Sequence, residues 1–181
     1  RITSCQKEEA YELYAEGGKI QSLQPASRNP GTTVSVHALF YNVPARRKFQ
    51  KSAHSCQNAI IKMLTKLALA HPLIEVKCVV DGKEIFSSFM KRSLEKEAVT
   101  YQVIEKVLGS TFLDGTAEVR LQEQGCFLHG YIGPPHRCRK NRSGQYLFVN
   151  GRSIQSAEIS HAIYEGYGTP LPTNEHPSFV L

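Results

Sequence analysis

The stretch GTTVSVHALFYNVPARRKF, residues 31–49, runs from alternating apolar and polar residues through an aromatic turn and a proline into a cluster of cations. Over residues 33–39 the alternation puts Val34, Val36 and Ala38 on one face and Thr33, Ser35 and His37 on the other. That is the pattern of a half-buried strand. Pro44 follows closely, and because proline is tolerated in a first turn, a helix is expected from about Ala45. Arg46, Arg47, Lys48 and Lys51 fall at its start, and Lys62 and Lys66 continue on the same helix.

Upstream, residues 2–6 and 10–15 are β-compatible, and Glu16-Gly17-Gly18-Lys19 is a turn signal leading into a strand over residues 20–23. Downstream, Ala53, Cys56, Ile60, Met63, Leu64 and Leu67 recur at helical spacing, and Pro72 stops that helix near His71. Residues 73–80 and 83–89 read as a hairpin about Asp81-Gly82. The charged stretch at residues 90–97 is the linker, placing one domain at residues 1–92 and a second at 93–181. In the second, residues 99–108 form a short helix ended by Gly109 as a left-handed cap. Strands at residues 117–123 and 126–132 meet at Gln124-Gly125, a third covers 145–149 before Asn150-Gly151, a helix covers 156–167, and a last strand begins near Ser178. Helix and strand alternate without a repeated period, so the fold class is α+β.

The formal charge of +6 favours an acidic partner. Cys5, Cys56, Cys78, Cys126 and Cys138 are odd in number and never form a CxxC pair, so neither a disulfide framework nor a zinc ribbon is indicated. A reducing cytoplasm is the simplest setting. No apolar run approaches the roughly 20 residues that span a bilayer, and the start is neither a signal peptide nor an initiator methionine. The chain reads as an excised piece of a longer protein.

No Gly-rich phosphate loop and no HExxH is present, and the seven histidines are scattered without metal-ligand spacing. Glu8-Glu9 sits beside a strand as a solvated pair. The chain by itself holds no catalytic site and no metal site. The positive charge is more informative. Beside the helix cations, Arg137, Arg139, Lys140 and Arg142 form a loop closely followed by Arg152. Such groups hold backbone phosphates without reading sequence. On composition alone, solvated helix faces and a loop account for them equally well. Aromatic residues are not interleaved with the cations, which favours duplex or backbone binding over single-strand stacking.

Two motifs carry a resemblance. Gly31-Thr32-Thr33-Val34 with Leu39-Phe40-Tyr41-Asn42-Val43-Pro44-Ala45-Arg46-Arg47-Lys48-Phe49 resembles the signature of the MutL mismatch-repair family. Gln145-Tyr146-Leu147-Phe148-Val149-Asn150-Gly151-Arg152 resembles that family's FVNxR strand. The resemblance covers essentially the whole chain. It implies the C-terminal part of a Bergerat-type (GHKL) α/β sandwich, followed by a transducer domain like ribosomal protein S5 domain 2, truncated at its C-terminus. It also implies that Gly31 and Thr32 belong to the ATP site, with the Thr32 hydroxyl in a water-mediated network near the adenine. The family's basic groove carries over to Lys48, Lys51, Lys66 and Arg152, with Arg46 and Arg47 as neighbours.

The family's catalytic Glu, magnesium-binding Asn and Gly-rich lid lie upstream of this stretch, and its γ-phosphate lysine lies beyond Leu181. The parent is therefore expected to use ATP and Mg as a weak ATPase, and this piece to bind neither. Partners implied are DNA, held nonspecifically by its phosphates, a mismatch-recognition protein of the MutS type, and a second copy in the parent, with no membrane. Two rivals stand beside this reading: an ATPase and transducer piece of a type II topoisomerase subunit, which the FYNVPAR motif argues against, and an S5-like RNA-binding module.

Overall fold

The computed structural model describes residues 1–7, 9–88, 96–172 and 174–181, and the chain divides into two compact units, Arg1–Ala53 and His54–Leu181. The domain junction expected between residues 92 and 93 lies outside the described residues.

The first unit is an antiparallel sheet of β1 (Ile2–Gln6), β2 (Glu9–Glu16), β3 (Lys19–Pro25) and β4 (Gly31–Val34), ordered β3-β2-β1-β4. The β2–β3 hairpin turns at Gly17-Gly18 as expected. β4 is shorter than its alternation predicts. Its ladder with β1 closes where the Ser35 N–H donates to the Arg1 carbonyl at 2.9 Å, and the backbone then turns over, with Ala38 at φ 47°. Val34 and Val36, expected to be half-buried, are 61% and 70% exposed. Alternation shows which residues share a face, but burial needs a layer laid on that face, and none covers it among the described residues.

The single helix expected from Ala45 to Ala70 is two: α1 (Pro44–Lys48) and α2 (Ala53–Ala70). α1 buries nothing, so no packing carries it past Phe49, which is 82% exposed. The predicted apolar stripe of α2 is also not its core face. Thr65, Ala68 and Leu69 are buried and Leu64 packs beside them, whereas Ile60, Met63 and Leu67 are 45%, 63% and 46% exposed.

The second unit adds the hairpin β5 (Lys77–Val80) and β6 (Lys83–Ser87), then α3 (Lys96–Leu108) and α4 (Ser110–Leu113). β5 starts later than expected because Pro72 to Ile74 form a turn, the Ile74 N–H donating to the His71 carbonyl. Gly109 has the positive φ of a cap, 90°, but an extended ψ of 152°, so it ends α3 by leading straight into α4. Strands β7 (Ala117–Glu123), β8 (Cys126–Ile132), β9 (Gln145–Val149), β10 (Arg152–Ile154) and β11 (Phe179–Val180) form a sheet ordered β10-β9-β11-β8-β7. Asp81-Gly82, Gln124-Gly125 and Asn150-Gly151 each have both residues at positive φ, as tight hairpin turns require.

β11 runs parallel to β9 and antiparallel to β8. It approaches so closely that a Cβ on Gly130 would lie 1.9 Å from the Val180 carbonyl oxygen. One core gathers Ala68 and Leu69 of α2, Val76 ahead of β5, then Val99, Val103 and Ile104 of α3, Phe112 and Leu113 of α4, and Tyr131 and Val180 of the sheet. Leu147, Leu171 and Phe179 are buried apart from that cluster. α5 (Ala157–Tyr167) starts on Ser156, whose hydroxyl accepts from the Ile159 N–H, and ends with the Tyr167 hydroxyl donating to the Gly133 carbonyl.

Gly130→Ala is expected to lower stability by about 1–3 kcal/mol, because the strand must move off Val180 to admit a methyl group; a urea melt measures this. Burial first, and Cys138 second, push the Tyr167 phenol from its ordinary 10 to about 12. The raised value favours the neutral phenol in the fold, so its contribution is complete below pH 10 and is lost as pH rises from 10 through 12. Tyr146, also raised by burial, acts with the same sign. Melts between pH 9 and 12 should therefore fall less steeply for Tyr167→Phe than for the unaltered chain.

Candidate nucleotide and nucleic-acid surfaces

In the first unit, Gly31 and Thr32 open β4 at the sheet edge. Register sets Thr32 opposite Ser4, and their hydroxyl oxygens lie 2.8 Å apart. Ser4 pairs on its other side with Tyr11, so Thr32, Ser4 and Tyr11 share one face. Beside them Ser4, Gln6, Lys7, Glu9 and Tyr11 line an open hollow of about 760 Å3. Arg28 braces the strand from behind the loop: its Nη1 donates to the Thr3 carbonyl at 2.6 Å and to Thr33 Oγ1 at 2.9 Å, and its Nε donates to the Asn29 carbonyl at 3.0 Å. Arg28 is thus committed to the sheet. A second hollow, about 470 Å3 and mostly apolar, is lined by Ile2, Leu13, Val34 and Tyr41 among others. At its edge the Tyr14 hydroxyl donates to Glu16 at 3.2 Å, and that bond to a carboxylate holds the phenol above its ordinary value.

The cations of this unit do not lie on one long helix. Arg46, Arg47 and Lys48 crowd the last turn of α1, where the helix dipole favours positive charge, and all three are exposed. Lys51 lies past the end of α1, exposed but engaged with a neighbour. The Arg46 guanidinium stands 6.0 Å from the Phe40 ring centroid. Sequence reading missed this pairing and the Ser4 hydroxyl, since strand register and turn geometry alone create them.

In the second unit, Lys66 is half-buried on α2 and Arg152 is exposed at the first position of β10. The Asn150-Gly151 turn that aims Arg152 lies against the end of α2: a Cβ on Gly151 would come 3.1 Å from His71 Cε1. At φ 75°, glycine answers both the turn and this close approach. Tertiary structure thereby brings the Arg152 turn to the C-terminal end of the helix that carries Lys66, about one and a half turns of axis away.

The loop cations are a different matter. Arg137 donates to the Thr111 carbonyl at 2.8 Å and pairs with Asp114 at 3.1 Å. Arg139 exchanges both backbone bonds with His176 and donates to Ser143 Oγ at 3.3 Å. Lys140 and Arg142 are exposed, but the five residues of β9, about 17 Å of strand, separate them from Arg152. Closeness in sequence therefore does not merge this loop with Arg152. Among the described residues there is no group of three or more His, Cys, Asp or Glu suited to a metal ion. Nor, among them, is any helix long and apolar enough to cross a membrane.

A family model described as "DNA mismatch repair protein, C-terminal domain" matches residues 104–181. The MutL protein of Xylella fastidiosa strain 9a5c is 36% identical over 169 residues, which are 93% of this chain and 26% of that protein. MutL of Clostridium botulinum strain 657 is 36% identical over 170 residues, 94% of this chain and 25% of that protein. The chain thus spans about a quarter of the length of these curated relatives. Among solved structures, the Aquifex aeolicus MutL ATPase domain complexed with ADP aligns with a TM-score of 0.70 and 25% identity, over 91% of this chain and 61% of that one. The N-terminal domain of a DNA repair protein shares the fold with a TM-score of 0.77 at 24% identity, over 99% of this chain and 58% of that one. The fold is accordingly the later part of a GHKL ATPase domain followed by an S5-like transducer domain. With both sequence motifs, the strand order and these likenesses in agreement, the chain belongs to the MutL family of DNA mismatch repair proteins.

Proposed function

We propose that this stretch serves a MutL-type protein as the junction between an adenine-nucleotide site and a DNA-phosphate surface. In the longer protein, ATP with Mg would bind on the Thr32 side of the first sheet. DNA would be held through Arg47, Lys48 and Lys51 in the first unit, with Arg46 beside them, and through Lys66 with Arg152 in the second. ATP binding and hydrolysis would bias a two-state rearrangement, which in turn converts mismatch recognition by a MutS-type partner into recruitment of strand-processing factors. Two copies would act together, in the cytoplasm.

The observation that carries the DNA reading is the approach of Gly151 to His71. It brings an exposed Arg152 toward the end of the helix carrying Lys66. Such side chains grip phosphates without reading bases, so affinity should be indifferent to sequence and steeply dependent on salt. Support for the nucleotide reading is the paired Ser4 and Thr32 hydroxyls beside an open hollow, together with the likeness to a MutL ATPase domain whose solved structure holds ADP.

Duplex affinity across a salt series tests the first reading. Lys48→Glu, Lys51→Glu and Arg152→Glu should each weaken binding on every sequence and flatten the slope of log K against log salt by about 0.9 for each phosphate no longer neutralised. Unchanged affinity and slope would overturn it. For the second reading, Thr32→Val in the full-length protein keeps the shape and removes the hydroxyl. Adenine-nucleotide affinity should fall about tenfold, the worth of one hydrogen bond; an unaltered Kd counts against it.

A further inference from the structure

The turn between β4 and α1 holds two non-glycine residues in the left-handed region, Ala38 at φ 47° and Phe40 at φ 65°. A bulky aromatic residue rarely adopts that conformation, and it persists only where the surroundings over-determine it. Two backbone bonds close the turn: the Tyr41 N–H donates to the Ala38 carbonyl at 2.9 Å and the Val43 N–H to the Phe40 carbonyl at 3.1 Å. On one side the Tyr41 hydroxyl rests against the β2–β3 hairpin, where a Cβ on Gly17 would come within 3.0 Å. On the other side stands α1, five residues with nothing buried, too short to hold its own direction. What ties this helix back to the turn is Arg46 over the Phe40 ring. Among the described residues Arg46 has no ion pair, and neither do Arg47 and Lys48, which have no ring beneath them either.

We infer that Arg46 is a positioning residue. Its guanidinium, laid on the Phe40 face, holds the left-handed turn, and the turn sets the direction in which Arg47 and Lys48 leave the sheet. The three consecutive cations therefore divide their work: Arg46 faces inward to the turn, and its two neighbours face phosphate. The division of labour toward DNA rests on the phosphate reading above; the hold on the turn does not.

Amide hydrogen exchange followed by NMR on this chain reads the turn directly. Arg46→Ala should speed exchange at Tyr41 and Val43 by a factor of about 2–5, the worth of an exposed cation–π interaction. Phe40→Ala should do the same, the double variant no more than either single one, and Lys48→Ala should leave both amides unchanged. In duplex titrations Arg46→Ala and the charge-neutral Phe40→Ala should weaken binding together, without the full flattening of the salt slope that Lys48→Ala shows. The inference is overturned if Arg46→Ala leaves both amides undisturbed, or if the two substitutions add independently. If the unaltered chain shows no salt-dependent DNA binding, the phosphate reading fails, and the exchange arm alone supports or overturns the hold on the turn.

Discussion

Two strands of the second unit, β8 and β9, have no ladder between them; the two residues of β11 join them. Phe179 and Val180 pair antiparallel with Ile132 and Tyr131 and parallel with Gln145 and Tyr146. So short a strand can do this because it is wholly buried, with Phe179 at 1% exposure, and because Gly130 presents no side chain to the Val180 carbonyl. Everything on the β9–β10 side is placed by this joint. The Asn150-Gly151 turn meets His71, and Arg152 is displayed, because β9 is held in register with a sheet whose other half packs under α3 and the end of α2.

Charge follows the same logic of placement. The excess of cations makes phosphate a chemically suitable partner, but each cation has to be asked what else it does. Arg28 commits its guanidinium to two acceptors in the first sheet and one in the loop before β4, and Arg137 commits its own to Asp114 and the Thr111 carbonyl of α4. Both are structural cations, each donating to backbone carbonyls of the fold. Arg47, Lys48 and Arg152 are exposed and, among the described residues, without an ion pair, so their charge is available to a ligand. An exposed, unpaired cation has full solvation to lose only where a phosphate replaces it, which suits nonspecific and salt-sensitive binding.

The segment between β4 and α1 shows how a motif combines tasks that its residues do not separately reveal. Thr32 presents its hydroxyl to Ser4 across a ladder, Phe40 stores a strained backbone, Pro44 starts a helix and Arg47 with Lys48 crowns it. Within eighteen residues the chain passes from a rigid edge strand, through a turn that resists the usual backbone preference, to a helix with little stability of its own. An element so built is sensitive to what touches either end.

Much of this was legible in the residues alone. The turns at Asp81-Gly82, Gln124-Gly125 and Asn150-Gly151 follow from local backbone preference, α5 from the spacing of Ile159, Ala162, Ile163 and Tyr167, and the α+β class from the succession of elements; all are short-range physics. The family and its paired domains were legible too, through the 31–49 and 145–152 motifs. Tertiary structure decided the rest. Val34 and Val36 alternate like core residues and are exposed, and α2 turns Thr65 and Ala68 inward instead of Met63, because burial depends on which surface arrives and not on apolarity alone. Arg142 and Arg152 look like one cluster and are held apart by a strand, while Lys66 and Arg152, remote in sequence, are served by one junction at His71. Sequence determines which groups can bind a phosphate; only the packing of strands and helices determines which of them are left free to do so.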